Sequence, residues 1–168
     1  TPGQKPLPAQ IDVEQPLAPE KQSEFRALSA RSNCVSADRV DLQFASKECC
    51  RFMSAPGTLA NDSLKRLGRY VLKHKRLVYR YPWHDATHID VYSDTDWAGC
   101  PRTKKSTSGG AVMIGKHCIR TYSGTQTTVS LSSGEAEYYG LVKGAAAGLG
   151  HQAIMSDYGI DLPVRCWT

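Results

Sequence analysis

The sequence predicts a protein of the α/β (α+β) class, in which a small helical segment precedes a mixed β-sheet. Apolar residues recur at helical spacing in the first half of the chain, as Leu64, Leu67 and Val71 do. After Lys75 the spacing changes to the alternation that is typical of strands. A long helical pattern and a last short strand pattern follow. The predicted order of the second half is therefore strand, strand, strand, helix, strand.

Length and composition limit the classes of protein that fit. The chain has 168 residues, enough for one domain or two small ones, and a net charge of +5. A positive charge fits a polyanionic partner without proving one. The six cysteines form no C-x-x-C pair, which favours free thiols in a reducing compartment. No signal peptide or membrane span is visible, so we expect an intracellular protein (cytoplasm, nucleus or an organelle) that is neither secreted nor inserted in a membrane.

Three segments are predicted along the chain. Residues 1–20 carry five prolines and are expected to form an extended linker or wrap. Residues 21–76 are expected to hold three helices, starting at Lys21, near residue 38 and near residue 61. Residues 77–168 are expected to form the sheet and its long helix.

Two basic surfaces are candidates for nucleic-acid binding, because cations that neutralise phosphates release counterions. The first is the polar face of the third predicted helix and the residue that follows it: Lys65, Arg66, Arg69, Lys73 and Lys75. The second is a loop after the DVYSDTDW stretch: Arg102, Lys104 and Lys105. The alternative for both surfaces is that the charges are only solvated.

Alternation predicts strands over about 77–81, 88–94, 106–114 and 117–122, with a continuation over 127–131 and a last strand at 164–168. Gly115-Lys116 is short enough for a hairpin turn. Ser132 followed by Glu135 is a capping-box pattern that predicts a helix start, and it explains Glu135 better than a catalytic role does. In that helix, glycines spaced four apart are expected to pack closely on the sheet: Gly140, Gly144 and Gly148.

The stretch DVYSDTDWAGC places Asp90, Asp94 and Asp96 on one face of a predicted strand. Like charges repel, so solvent, a basic partner or a metal ion must offset them. If the long helix packs back across the sheet, Glu137 on its second turn is expected to meet Asp94. Converging carboxylates are ligands for Mg²⁺, and two such ions support phosphodiester hydrolysis. The alternatives are that Asp94 is solvated and that Glu137 interacts with the helix dipole.

Two motifs, YSDTDWAGCPRTKKSTSGG and TVSLSSGEAEYYG, resemble the ribonuclease H domain of copia-type (Ty1/copia) retrotransposon Pol polyproteins. Upstream, EFRALSARSNCVSADRVDLQFASKECCRFMSAP resembles the segment that connects the reverse transcriptase to that domain. The resemblance extends from about Lys21 to Thr168 and implies a ribonuclease H-like mixed sheet, truncated in this chain.

The resemblance implies that Asp94 and Glu137 match the first two catalytic carboxylates, which hold Mg²⁺ or Mn²⁺ in the intact family domain. Asp96 is an alternative ligand, and Trp97 is expected to pack in the core. The family's third catalytic Asp would follow directly after Thr168, so the set is incomplete. We therefore expect no meaningful ribonuclease H activity from this chain. For the metal, the alternative to a bound Mg²⁺ or Mn²⁺ is that this chain binds none.

Two classes of function fit these observations. The first is a polyprotein fragment whose ancestral activity is Mg²⁺-dependent hydrolysis of RNA in RNA–DNA hybrids. The second is a non-catalytic protein, recruited as a structural or nucleic-acid-binding subunit of a larger assembly. The expected partners are an RNA–DNA hybrid or another nucleic acid, with protein subunits added in the second case.

Overall fold

The computed structural model describes residues 2–3 and 14–168. The chain divides into two compact units, residues 1–78 and residues 79–168. Within the described residues, no helix is long and apolar enough to cross a membrane.

The first unit contains helices α1 (Pro19–Val35), α2 (Val40–Arg51) and α3 (Thr58–Lys73). Pro19 suits the first position of α1, because its missing N–H would have no helical partner there. The three helices enclose one apolar core. Its buried members include Phe25, Leu42, Cys49 and Leu67.

The described end of the predicted linker is packed against the first unit. Leu17 is buried, and its N–H donates to the Pro56 carbonyl at 3.1 Å. The Thr58 N–H donates to the Gln15 carbonyl at 2.9 Å. These bonds fix the chain beside the loop between α2 and α3, where Leu17 adds apolar area to the core. Residues 4–13 of the predicted linker lie outside the described residues.

The second unit contains strands β1 (Ile89–Asp96), β2 (Thr107–Ile114) and β3 (His117–Thr125), then helix α4 (Ser133–Asp157) and strand β4 (Val164–Trp167). The strands form one sheet in the order β3-β2-β1-β4. The β1–β2 and β2–β3 pairs are antiparallel and the β1–β4 pair is parallel. The predicted α+β class, mixed sheet and element order are confirmed.

Two predicted strand segments are wrong. Residues 77–81 form no strand, and all of them are exposed. Pro82, which follows them, has no N–H to donate to a strand ladder, and the Tyr81 side chain instead bonds to the Cys118 carbonyl of the hairpin. Residues 127–131 also form no strand, since β3 ends at Thr125 and the chain bends toward the start of α4.

Helix α4 packs on the sheet through its glycine stripe, as predicted. A Cβ added to Gly148 would lie 2.7 Å from Val164 Cγ1 and 2.8 Å from Val91 Cγ2. A Cβ at Gly144 would lie 3.2 Å from Val91 Cγ1, and one at Gly140 would overlap the Thr95 hydroxyl. No larger residue at these positions would allow the same approach of helix to sheet.

Candidate functional site

The two faces of β1 have different neighbours. Val91, Ser93 and Thr95 face α4, because they are the side chains beneath its glycine stripe. Alternation then places the side chains of the even-numbered residues on the opposite, open face of the sheet. The predicted shared face is therefore present, and it carries Asp90, Tyr92, Asp94 and Asp96.

Asp90 is neutralised by a basic partner on the neighbouring strand. The Arg165 guanidinium donates to both Asp90 carboxylate oxygens, at 2.8 and 2.9 Å, and Trp167 Nε1 donates to Oδ1 at 2.9 Å. The hydrogen bond from Arg165, then that from Trp167, holds the pKa of Asp90 below its usual value. Trp167 also stacks on Tyr92, with ring centroids 6.4 Å apart. The hydrogen bonds of Asp90 thus join β1 to β4.

Asp94 has no such partner in the described part of the chain. Its carboxylate is exposed, and Oδ1 accepts a hydrogen bond from the Thr95 N–H at 2.8 Å. The residue opposite it on β2 is Gly109, which has no side chain to cover it. A depression of about 330 Å³ lies over this part of the sheet, lined by Asp94, Gly109 and the Tyr92–Trp167 pair among others. A ligand on the open face therefore has access to Asp94.

The start of α4 fixes the position of Glu137. Ser132 Oγ accepts from the Glu135 N–H at 3.2 Å, and Glu135 Oε2 accepts from the Leu131 N–H at 2.7 Å. The assignment of Glu135 to the helix cap is confirmed. Glu137 lies on the next turn and is exposed, and its carboxylate has no hydrogen bond or ion pair to other described residues.

Sequence reasoning missed Gln126, which positions α4 on the sheet. Its amide donates to Ser108 Oγ at 2.9 Å on β2 and to the Ala136 carbonyl at 2.8 Å in the first turn of α4. Its amide oxygen accepts from Ser130 Oγ at 3.1 Å. Gln126 thus joins β2, the connecting loop and the helix that carries Glu137. A single Gln between two elements has no periodicity, so no pattern marked it.

The expectation that Glu137 meets Asp94 stays a prediction. Asp94 projects from the face of β1 away from α4, the helix that carries Glu137. Both nevertheless lie toward the same end of β1, where Gly140 of α4 packs over Thr95. Strand β4 lies along one edge of β1 and pairs with it over Ile89–Tyr92. An approach around this edge stays a prediction. Within residues 14–168, no group of three or more His, Cys, Asp or Glu side chains could hold a metal ion.

The last residue of β1 and the turn after it contain the remaining predicted site residues of this unit. The Asp96 carboxylate lies directly over Gly99, where a Cβ would overlap it. Arg102 and Lys104 are exposed and Lys105 is half-buried. Trp97 is not a core residue: its side chain is 48% exposed, and its Nε1 donates to the Ser130 carbonyl at 3.1 Å. That bond ties the turn to the loop before α4.

The predicted basic face is located on α3, in the first unit. All of its residues are exposed: Lys65, Arg66, Arg69, Lys73 and, just after the helix, Lys75. Lys65 lies 3.6 Å from Asp62, an exposed ion pair of little energetic weight. These cations are exposed to solvent, and nucleic-acid binding by them stays a prediction.

Comparison with known proteins identifies relatives across most of the chain. The uncharacterized mitochondrial protein AtMg00810 of Arabidopsis thaliana is 32% identical over 127 residues, 74% of this chain and 52% of that protein. The secreted RxLR effector protein 161 of Plasmopara viticola is 34% identical over 115 residues, 68% of this chain and 81% of that protein. The retrovirus-related Pol polyprotein from transposon RE1 of Arabidopsis thaliana is 31% identical over 116 residues, 69% of this chain and 8% of the polyprotein.

The chain spans about half the length of AtMg00810 and a small part of the transposon polyprotein. No protein-family model matches it, and no solved structure matches it at a significant level. Over two thirds or more of its length, the chain is thus similar to retrovirus-related Pol polyproteins from transposons, in agreement with the resemblance of its sequence motifs.

Proposed function

We propose that the second unit is part of a ribonuclease H-type nuclease domain and that Asp94 and Glu137 are two of its metal-binding carboxylates. The first unit would be the connection to the reverse transcriptase. The observation that supports the proposal is that the carboxylates of Asp90 and Asp94, both on β1, have different partners. Asp90 is bonded to Arg165, whereas Asp94, which matches the family motif, is left exposed on the central strand.

The side chains present fit a hard divalent cation. Asp94 and Glu137 supply carboxylate oxygens, which Mg²⁺ and Mn²⁺ prefer. The backbone N–H of Thr95 restrains the Asp94 carboxylate at 2.8 Å through one oxygen and leaves the other oxygen to a ligand. Asp96 is a weaker candidate, because its carboxylate lies over Gly99 in the turn.

The chemistry that such an ion supplies is activation of a water and stabilisation of the leaving oxygen of a phosphodiester. The chain's own residues would orient it. Asp94 is fixed by its place on a central strand, and Glu137 by the capped and Gln126-anchored start of α4. Gly109 leaves the surface beside Asp94 open to a substrate backbone.

The proposed substrate is an RNA–DNA hybrid, and the basic residues would contribute to its binding. Exposed cations are present in each unit, on α3 in the first and in the loop 102–105 of the second. Binding that depends on such phosphate contacts weakens as the salt concentration rises. All six cysteines are free, which supports a reducing compartment for the protein.

The proposal is tested by Mn²⁺ titration of the chain, with paramagnetic broadening of its amide signals as the readout. Broadening is expected around Asp94 and Glu137, and it should be lost in the Asp94→Asn and Glu137→Gln variants. Asp85→Asn is the matched control, since Asp85 is an exposed carboxylate of the same unit. Broadening that persists in both variants, or that the control removes equally, would overturn the proposal.

Turnover gives a second readout. Two carboxylates leave most of the coordination of an ion to water, and Mg²⁺ held in this way binds weakly. Cleavage of an RNA–DNA hybrid by this chain is therefore expected at the level of the Asp94→Asn variant. Robust cleavage that Asp94→Asn abolishes would support the metal site but contradict the expectation of inactivity.

A further inference from the structure

The segment that precedes β1 is clamped across the β2–β3 hairpin. The Tyr81 hydroxyl donates to the Cys118 carbonyl at 3.3 Å, and His117 Nε2 lies 2.8 Å from the Pro82 carbonyl. The Lys116 N–H donates to His84 Nε2 at 3.2 Å. These contacts fix a stretch that has no regular secondary structure.

The same segment presents its aromatic rings to solvent. Trp83 is 92% exposed, Tyr81 56% and Tyr79 41%. The Tyr79 and Tyr81 rings lie nearly parallel, with centroids 6.3 Å apart and 23° between their planes. The edge of His117 meets Tyr81 at 5.1 Å and 78°. Burying an aromatic ring stabilises a fold, so three exposed rings on a clamped segment are not explained by packing within this unit.

Two exposed cations lie in this segment and in the hairpin turn that it contacts. Arg80 lies between the two tyrosines in the chain and is exposed, as is Lys116 in the hairpin turn. Flat aromatic surfaces next to cations are the combination that holds single-stranded nucleic acid, because every base has a face that stacks and every nucleotide has a phosphate.

We propose that Tyr79, Tyr81 and Trp83, the aromatic platform, bind unpaired bases of single-stranded RNA or DNA, with Arg80 and Lys116 near the phosphates. The platform lies beside Ile114 and His117, at the end of the sheet where β1 begins. Asp94 is five residues after Ile89, the first residue of β1, and therefore about 17 Å away at the rise of a strand. The platform is therefore a site separate from the carboxylates, and it does not depend on their proposed function.

Fluorescence anisotropy of labelled single-stranded oligo(dT) and oligo(U) tests this proposal on the full chain. Trp83→Ala is expected to raise Kd by about five-fold to about a hundred-fold, the range for losing one stacked base. Trp83→Phe keeps a stacking ring and should restore most of the affinity. Arg80→Gln should lower the salt dependence of binding, since one phosphate contact fewer releases fewer counterions.

Tyr158→Ala is the matched control, because Tyr158 is 78% exposed at the end of α4, away from the platform. It is expected to leave Kd unchanged. No oligonucleotide binding at low salt, equal affinity of Trp83→Ala and the wild type, or an equal loss in Tyr158→Ala would each overturn the proposal. Because Asp94 is assayed separately by Mn²⁺ broadening, failure of the nuclease proposal leaves this result interpretable.

Discussion

The approach of α4 to the sheet rests on glycines, and the Gly148→Ala substitution tests how tightly. The added Cβ would lie 2.7 Å from Val164 Cγ1 and 2.8 Å from Val91 Cγ2. Both neighbours are valines, whose branched side chains are stiff at χ1, so neither moves away easily. Overpacking of this kind costs about 1–3 kcal/mol. Replacing glycine by alanine inside a helix returns about 1 kcal/mol, so the net loss of stability is about 0–2 kcal/mol.

Gly150→Ala separates the two effects within the same helix. A Cβ at Gly150 meets nothing within 4 Å, so only the helical gain applies, and this variant is expected to be more stable than the wild type. The difference between the two variants should then equal the overpacking term, about 1–3 kcal/mol.

Urea unfolding followed by tryptophan fluorescence measures the difference between the variants. All three tryptophans, Trp83, Trp97 and Trp167, lie in the second unit, so the signal reports that unit. Equal midpoints for Gly148→Ala and Gly150→Ala, at unchanged slope, would refute close packing at this stripe.

Two further predictions concern ionisable groups. The lowered pKa of Asp90 means that its bonds to Arg165 and Trp167 stabilise the fold above the pKa of an unfolded Asp, about 3.9. This contribution is lost as pH falls through the lower, folded pKa, so Asp90→Asn should be less stable than the wild type at pH 7, and the difference should shrink as the folded carboxylate is protonated. A stability difference independent of pH in urea unfolding would contradict the charge argument. Burial raises the pKa of the Cys49 thiol to about 12. At pH 8, iodoacetamide should therefore alkylate the exposed Cys34 and Cys166 well before Cys49, as mass spectrometry can measure. Equal alkylation rates in the folded protein would show that Cys49 is accessible.

Features that follow from local chemistry could be predicted from the sequence. Ser132 and Glu135 marked the start of α4 because the capping bonds join residues three apart. Gly115 marked the hairpin turn, and its φ of 57° is one that glycine adopts without strain. The glycine stripe of α4 was visible because four-residue spacing is itself the geometry of one helix face.

Features that depend on contacts distant in the chain could not be predicted in this way. The partners of Asp90 are 75 and 77 residues away, on a strand whose register no local pattern determines. Gln126 acts through three bonds to different parts of the unit. Residues 77–81 alternate like a strand, yet Tyr81 contacts the hairpin through its hydroxyl group, a bond that alternation does not predict.

The three aspartates of β1 show why a strand pattern alone does not identify a site. Asp90, Asp94 and Asp96 occupy equivalent positions in the alternation, and their neighbours make them different. β4 pairs with β1 over Ile89–Tyr92, so Asp90 lies within reach of Arg165, whereas Asp94 is opposite Gly109 of β2. Asp96 lies past Asp94, at the turn over Gly99. The register of β4 therefore neutralises Asp90, whereas the glycine opposite Asp94 leaves that carboxylate uncovered on the open face of the sheet.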